Sequence, residues 1–232
     1  MPRIITVANR KGGVGKSTSS FNLAYTHALD KKKVLLIDLD SQGNLTDLCK
    51  AAPVSLDDWK SGEPVALNAF ISLIPATKQF AQLENEINQE IDRNAYLKEN
   101  LLPRLKGFDV VIIDTAPALS ILNINALCIS DQVFIIIHAD NFSLMGLNEM
   151  TAIIEKIKPI NPKLDYKIVL NASMKGRSFT EKAKERLVKM PAFSGVEIPH
   201  RQHVIDSNAM RKPSIDLEEI REQFMKLARL SA

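Results

Sequence analysis

Short apolar runs alternate along the chain with longer segments whose apolar residues recur at helical spacing. Unbroken apolar runs are typical of strands that helices cover on both faces, because neither face then meets water. The runs predicted as strands are Ile4–Asn9, Val34–Asp38, Phe70–Pro75, Phe108 to Asp114, Gln132–Ile137 and Tyr166–Asn171. The alternation predicts an α/β fold with a mostly parallel, twisted sheet, helices on both faces and right-handed crossovers.

Helical spacing and boundary residues predict helices between these strands. One helix runs to about Leu29, a second spans Gln79–Leu102, and a third ends at Ile157. Ser178 and Glu181 form a capping-box pattern, S-x-x-E, which predicts the start of a fourth helix. A fifth helix is predicted at the end of the chain.

This last helix, Leu217–Leu230, carries an apolar stripe on one side. The stripe consists of Leu217, Ile220, Phe224, Leu227 and Leu230. Together with Asp216 just before it, the segment carries four acidic residues against three basic ones, so an anionic membrane should not attract it. We therefore expect the stripe to pack into the core and the protein to have no membrane partner.

Composition indicates how large a core the chain can form and in which compartment it occurs. The chain has 232 residues, of which 45% are hydrophobic, enough for one sizeable core, so we predict a single domain over 1–232. The formal charge of +3 neither demands nor excludes nucleic acid. Cys49 and Cys128 form no C-x-x-C pair, and no apolar run approaches the ~20 residues of a membrane span. We expect a reduced, cytoplasmic protein.

A glycine-rich stretch between the first strand and the first helix is the strongest chemical signal. It reads R-K-G-G-V-G-K-S-T over 10–18. Glycines let the backbone turn its N–H groups inward and approach oxyanions closely, and the following helix N-terminus favours negative charge. Lys16 stands where a P-loop lysine reaches the β- and γ-phosphates, and Ser17 offers a hydroxyl to Mg²⁺.

The spacing departs from the ordinary P-loop because Arg10 replaces the first glycine and Lys11 follows it. The stretch resembles the deviant Walker A motif of the ParA/MinD ATPase superfamily, in which an early lysine crosses a nucleotide-sandwich dimer to the partner's phosphates. The resemblance implies that Lys11 is this signature lysine. The residues then expected to bind ATP are Lys11, Gly12, Gly13, Val14, Gly15, Lys16, Ser17, Thr18, Asn171 and Pro199.

Carboxylates end two of the predicted strands. Two acids at the carboxyl end of a parallel strand are costly unless they serve a ligand. The phrase L-I-D-L-D-S-Q-G-N around Asp38 and Asp40 resembles the family's D-x-D-P-Q-G-N switch, and Asp114 ends a Walker B-like strand. The resemblance implies that Asp38, Asp114 and Ser17 hold Mg²⁺ and that Asp40 positions the attacking water, with Lys11 and Lys16 completing the catalytic set.

Basic residues cluster late in the chain. Lys182, Arg186 and Lys189 recur at i, i+4 and i+7 and so share one helix face, which is either a DNA-facing patch or a plain solvated face. The segment from Ile198 to Pro213 resembles a family segment that covers the adenine and carries basic residues. The candidates for DNA contact are Lys175, Arg177, Lys182, Arg186, Lys189, Arg201, Arg211 and Lys212.

The resemblance extends over nearly the whole chain and is strongest toward short, Soj-like ParA partition ATPases. It implies a slow ATPase that dimerises on ATP and Mg²⁺, binds nonspecific DNA, associates with the nucleoid, and is released by hydrolysis that a ParB-like protein stimulates. Two alternatives stay open. One is a MinD-like, flagellar or protein-cluster positioning ATPase, and the other is a nucleotide-switched regulatory binding module.

Overall fold

One mixed sheet organises the fold. The structure, a computed structural model, describes residues 1–138, 141–174 and 176–231. The strands within these ranges are β1 (Arg3–Ala8), β2 (Val34–Leu39), β3 (Val65–Ala66), β4 (Ile71–Ile74), β5 (Val110–Thr115), β6 (Gln132–His138), β7 (Asp165–Ser173) and β8 (Phe193–Pro199).

The strand order is β3-β4-β2-β5-β1-β6-β7-β8, and every neighbouring pair is parallel except β3 with β4. The predicted α/β class with a mostly parallel sheet is therefore confirmed. All six predicted strands are present. The sequence did not indicate β8, because its residues F-S-G-V-E-I-P include polar positions and a glycine rather than an apolar run.

Helices connect the strands and cover both faces of the sheet. They are α1 (Lys16–Leu29), α2 (Asn44–Leu48), α3 (Leu56–Ser61), α4 (Phe80–Gln89), α5 (Tyr96–Asn100), α6 (Ile121–Ile129), α7 (Asn141–Ile157), α8 (Ser178–Leu187), α9 (Gln202–Ala209) and α10 (Glu218–Leu230). Among the described residues, no helix combines the length and the apolar character needed to cross a membrane.

Alternate residues of each central strand pack into different cores. Leu36 of β2 packs with helices α1 and α10, whereas its neighbours Leu35 and Ile37 pack with α4 and α6. Strand β6 divides its side chains in the same way, since Phe134 joins the first core and Ile135 joins a third core under α7. This two-sided burial explains why the strands read as unbroken apolar runs.

The prediction of one helix over Gln79–Leu102 is wrong. The structure has α4, an irregular turn and then α5, with Glu90 extended (ψ 144°) and Ile91 fully exposed. A long-range contact fixes the break. The buried amide of Asn125 in α6 donates to the Arg93 carbonyl oxygen (2.8 Å) and accepts from the Leu97 N–H (3.1 Å). Local periodicity cannot reveal such a contact.

The predicted capping box at Ser178 is also wrong. Helix α8 is capped by Arg177, whose extended backbone precedes Ser178, the first helical residue. The chain reaches this point through a turn in which the Arg177 N–H donates to the Met174 carbonyl oxygen (3.4 Å), and this turn starts the helix at Ser178 itself. The helix forms as expected, but its hydroxyl cap does not.

The apolar stripe of the last helix packs into the core as predicted. Ile220, Phe224 and Leu227 are at most 2% exposed and pack against α1 and the sheet. At the two ends of the stripe Leu217 is half-buried and Leu230 is 37% exposed. The buried stripe is therefore not available as a membrane anchor in this conformation.

A buried histidine links the end of α10 to α1. His27 is 1% exposed, and its Nε2 lies 3.3 Å from the Ser231 hydroxyl. Burial, with help from Lys32 and against Asp30, lowers the pKa of His27 to about 4. The imidazole is therefore neutral in the folded chain, whereas in the unfolded chain it protonates near pH 6.5.

We expect stability to fall as the pH drops from 6.5 toward 4, because only the unfolded chain takes up this proton. The loss reaches about 3 kcal/mol at about 1.4 kcal/mol per pKa unit. Urea unfolding of the wild type and His27→Gln at pH 7.0, 5.5 and 4.5 measures it. The variant should lose less over this range, and the exposed His200→Gln should behave like the wild type. Parallel pH profiles for wild type and His27→Gln would contradict the assignment.

Candidate functional site

The loop between β1 and α1 forms a cradle at the carboxyl edge of the sheet. Gly13 and Gly15 have positive φ values (73° and 90°), a conformation that L side chains rarely adopt. A Cβ on Gly15 would also lie 2.2 Å from Nδ2 of Asn171. That nitrogen donates to the Val14 carbonyl oxygen (2.8 Å), so glycine is required where the end of β7 braces the loop.

The residue that follows Asn171 has an unusual backbone conformation. Ala172, directly after Asn171, has φ 52°, a left-handed conformation that costs a non-glycine residue about 1 kcal/mol. The register between β7 and β8 also shifts between Leu170 and Ser173. Strain of this kind persists where surrounding contacts enforce it and is common at ligand sites.

Lys16 is the buried cation of the cradle. Its side chain is nearly enclosed (7% exposed), and Nζ donates to the Lys11 carbonyl oxygen at 3.3 Å. Burial lowers the pKa of Lys16, and the nearby carboxylates of Asp114 and Asp40 oppose this effect. The ammonium group therefore lies close to both acids. Below it opens a cavity of about 450 Å³ lined by the glycine loop, Asp40, Gln42 and Asp47.

Asp114 carries an unsatisfied buried oxygen. The carboxylate is 0% exposed, and its Oδ1 accepts from the Ser20 hydroxyl (3.2 Å). The nearby Ser17 side chain and the Lys16 charge each act to lower the pKa of this carboxyl. Its Oδ2 has no hydrogen-bond partner among the described residues. Burial first, and then the charge of Asp38, raises the pKa of Asp114 to about 8, so a cation at this position would be strongly favoured.

The residues around Asp114 fit a magnesium ion better than a protein-made metal cage. A hydroxyl and a carboxylate oxygen are hard ligands of the kind Mg²⁺ prefers. Within the described ranges, no group of three or more His, Cys, Asp or Glu side chains could hold a metal. A cation beside Ser17 and Asp114 would therefore take most of its ligands from water and phosphate, as Mg²⁺ commonly does.

Asp38 lies opposite Asp114 in the β2–β5 register and is equally buried. It accepts from the Thr46 N–H (2.8 Å), the Thr46 hydroxyl (2.7 Å) and the Asp40 N–H (3.0 Å). Burial raises the pKa of Asp38 to about 6, and these bonds oppose the rise. Its main visible contacts therefore fasten the segment after β2 to the start of α2.

Asp40 lines the same cavity. The residue is 7% exposed, and its Oδ1 accepts from the Gln42 N–H at 3.0 Å. The carboxylate thus has remaining acceptor capacity toward the cavity that it lines with Lys16. Thr46, which holds Asp38 and the Ala76 N–H (2.8 Å), is a supporting residue that the motif reading did not identify.

Asn9 and Arg10 connect the start of the glycine loop to the neighbouring strand and helix. The buried amide of Asn9 accepts from the Lys11 N–H (2.9 Å) and donates to the Ile136 carbonyl oxygen (2.5 Å). Arg10 instead reaches α7, where it pairs with Glu149 at 2.8 Å. A Cβ on Gly146 of α7 would lie 2.9 Å from Oδ1 of Asn9, so α7 packs closely against the residue that orients the Lys11 backbone.

A second cavity, of about 190 Å³, adjoins the glycine loop on its other side. The predicted Asn171 and Pro199 both line it, together with His200 and Asn208. Asn208 in α9 also lines the first cavity, and its Nδ2 donates to the Thr18 hydroxyl at 2.9 Å. The sequence reading missed Asn208, because α9 lies far along the chain from the glycine motif.

The candidate DNA-contacting residues fall into two groups. Arg177, Lys182, Arg186 and Lys189 are exposed on or beside α8, as is Lys212 after α9. Two arginines are engaged in bidentate ion pairs instead. Arg201 pairs with Glu219 (2.8 and 2.9 Å), and Arg211 pairs with Asp47 (2.6 and 3.2 Å). Lys175 lies outside the described residues.

Comparison with known proteins gives a consistent family. A family model described as "AAA domain" matches residues 2–166. The chain is 33% identical over 183 residues to the chromosome partitioning protein ParA of Myxococcus xanthus, covering 72% of this chain and 64% of that protein. It is 35% identical over 190 residues to the sporulation initiation inhibitor protein Soj of Bacillus subtilis, covering 77% and 75%.

Solved structures with the same fold include nucleotide complexes. A putative plasmid partition protein from Borrelia burgdorferi bound to AMPPNP superposes with a TM-score of 0.79 at 27% identity, covering 98% of this chain and 100% of that chain. Cobyrinic acid a,c-diamide synthase from Mycobacterium smegmatis, with a bound ATP analogue and magnesium, gives 0.79 at 25% identity, covering 91% and 93%. On the family match and these identities, the chain belongs to the ParA/Soj family of P-loop partition ATPases.

Proposed function

We propose that this protein is an ATP-driven partition switch, in which ATP and Mg²⁺ join two subunits and hydrolysis separates them. The observation that carries the proposal is the buried Asp114 carboxylate, which has one unpartnered oxygen and lies near Ser17 and Lys16, two residues that line the glycine-loop cavity. The nucleotide complexes of the structural neighbours support the same ligands. Residues 12–18 would receive the phosphates, and the cavity beside Asn171 and Pro199 would receive the base.

Each acidic residue has a separate task in this proposal. Ser17 and Asp114 would hold the Mg²⁺ shell, with Asp38 behind them anchoring Thr46 and the switch segment. The ion, when bound, would neutralise charge on the β- and γ-phosphates. Asp40 would orient the attacking water, since its carboxylate faces the same cavity as Lys16. No arginine lines this cavity among the described residues, which supports slow intrinsic hydrolysis.

Dimerisation would depend on Lys11. Its backbone N–H is oriented by Asn9, and its carbonyl oxygen accepts from Lys16. These contacts fix the Lys11 backbone within the glycine loop, and we propose that its side chain would cross to the phosphates of a second copy. Lys11 and Lys16 would then stabilise the same phosphates from two subunits.

The DNA-binding surface would be the basic face of α8. Arg177, Lys182, Arg186 and Lys189 are exposed, whereas Arg201 and Arg211 are paired with acids and contribute less positive charge. Binding to phosphates would make association insensitive to sequence and would place the ATP-bound dimer on the nucleoid within the cytoplasm. A ParB-like partner would stimulate hydrolysis and release the dimer. The buried stripe of α10 gives no support to the alternative of a membrane-anchored positioning ATPase.

Lys16→Ala should abolish ATP binding, because it removes the cation beside the β- and γ-phosphates. Isothermal titration with ATP and Mg²⁺ should show no saturable binding; loss of the charge-assisted contact alone, about 1.5–3 kcal/mol, sets the minimum effect at about tenfold. Lys78→Ala, which removes an exposed lysine, is the matched control. Normal affinity in Lys16→Ala would overturn the P-loop assignment.

Asp40→Ala should leave ATP binding intact and slow hydrolysis by about 100-fold or more, because proton-accepting groups typically contribute 10²–10⁴ in rate. The variant should therefore accumulate as an ATP-bound dimer. Phosphate release gives the rate, and light scattering gives the mass with and without ATP. Exposed Asp57→Ala should match the wild type. A monomeric, ATP-bound Asp40→Ala would count against the switch role.

Replacing Lys182, Arg186 and Lys189 together by alanine should weaken binding to all DNA sequences alike and leave ATP-dependent dimerisation unchanged. The slope of log K against log salt should become shallower by up to about 5 for a dimer, at about 0.9 per lost phosphate contact. Fluorescence anisotropy with duplexes of unrelated sequence measures both effects. A triple alanine variant at Lys156, Lys158 and Lys163 has the same charge change and should bind like the wild type. An unchanged slope in the α8 variant would show a merely solvated face.

A further inference from the structure

Asn208 lies at the junction of the two cavities beside the glycine loop. It lines both the cavity of about 450 Å³ that contains Lys16 and Asp40 and the cavity of about 190 Å³ that contains Asn171 and Pro199. On the proposed function, the first receives phosphates and the second receives the base. A residue that lines both cavities would lie beside the part of the nucleotide that connects the phosphates to the base.

The amide of Asn208 is only half satisfied. Its Nδ2 donates to the Thr18 hydroxyl at 2.9 Å, whereas its Oδ1 is enclosed and has no partner among the described residues. A buried acceptor without a donor destabilises the folded state, and such atoms commonly mark the position of a ligand or an ordered water.

Proton accounting determines which amide atom faces the ligand. Thr18 follows Ser17 in the first turn of α1, where phosphate oxygens would lie, and these oxygens only accept hydrogen bonds. In a nucleotide complex the single proton of the Thr18 hydroxyl would therefore go to phosphate, which agrees with its oxygen accepting from Nδ2 of Asn208. Oδ1 of Asn208 remains as an acceptor that requires a donor from the nucleotide.

ATP has few donors to offer. They are the two ribose hydroxyls and the amino group of adenine, which lies at the far end from the phosphates. The ribose alone lies between phosphates and base, as Asn208 lies between the two cavities. We propose that Oδ1 of Asn208 accepts a hydrogen bond from one of the two ribose hydroxyls and that this contact strengthens nucleotide binding. The inference rests on the proposed ATP function.

The test compares ADP, 2′-deoxy-ADP and 3′-deoxy-ADP, all with Mg²⁺, by isothermal titration of the full chain. Diphosphates avoid hydrolysis during the measurement and keep the ribose unchanged. The wild type should bind at least one deoxy analogue about tenfold more weakly than ADP, as expected for one lost hydrogen bond in an enclosed site. The analogue that loses affinity identifies the hydroxyl.

Asn208→Ala should bind ADP about as weakly as the wild type binds that analogue, and its preference for ADP over the analogue should disappear. Gln202→Ala removes an exposed amide from the same helix and should keep the wild-type preference. Urea unfolding checks that Asn208→Ala retains its fold. The comparison of ADP with the two deoxy analogues on the wild type does not depend on any variant. Equal binding of all three nucleotides to the wild type, or an unchanged preference in Asn208→Ala, would overturn this inference. Failure of ADP to bind at all would instead contradict the nucleotide site itself.

Discussion

The enclosed carboxylate of Asp114 is the constraint on which the rest of the site depends. An isolated charge at the end of a central strand is costly. Among the described residues, Lys16 is a nearby cation whose charge lowers the pKa of Asp114. Ser20 donates to one oxygen of this carboxylate, Ser17 lies nearby, and the other oxygen has no partner among the described residues. In the proposed ATP complex, the charge balance of the site formed by the glycine loop, β5 and α1 would be completed by Mg²⁺ from outside.

Packing keeps this unbalanced arrangement in place. The central strands are enclosed on both faces, so β1, β2 and β5 can present polar ends at one edge without losing their cores. Side-chain amides then fix the loop that those ends surround. Asn9 holds it from the side of α7, and Asn171 holds it from the end of β7. Ala172, next to Asn171, has a positive φ, a backbone conformation of the kind that persists where surrounding contacts enforce it.

Sequence patterns predicted the central strands, the glycine loop and the acids at strand ends, because each is a local signal within a few residues. They failed where distant residues decide. The break after α4 depends on Asn125, which lies 32 positions beyond Arg93. The role of Asn208 depends on Thr18, 190 positions earlier, and nothing in the sequence around α9 indicates that contact. The ion pairs of Arg201 and Arg211 were equally invisible, so basic residues alone overstated the positive charge of that segment.

The pairing of Arg211 with Asp47 has a thermodynamic consequence. It joins the end of α9 to α2, the helix that follows Asp40 and is tied to Asp38 through Thr46. A displacement of α2 caused by a bound nucleotide must therefore move or break a contact of the α9 segment. Reciprocity of linked equilibria then applies to this pair. Consider a macromolecule whose contacts favour one position of the α9 segment. It must change the affinity for nucleotide by the same factor by which nucleotide changes the affinity for that macromolecule.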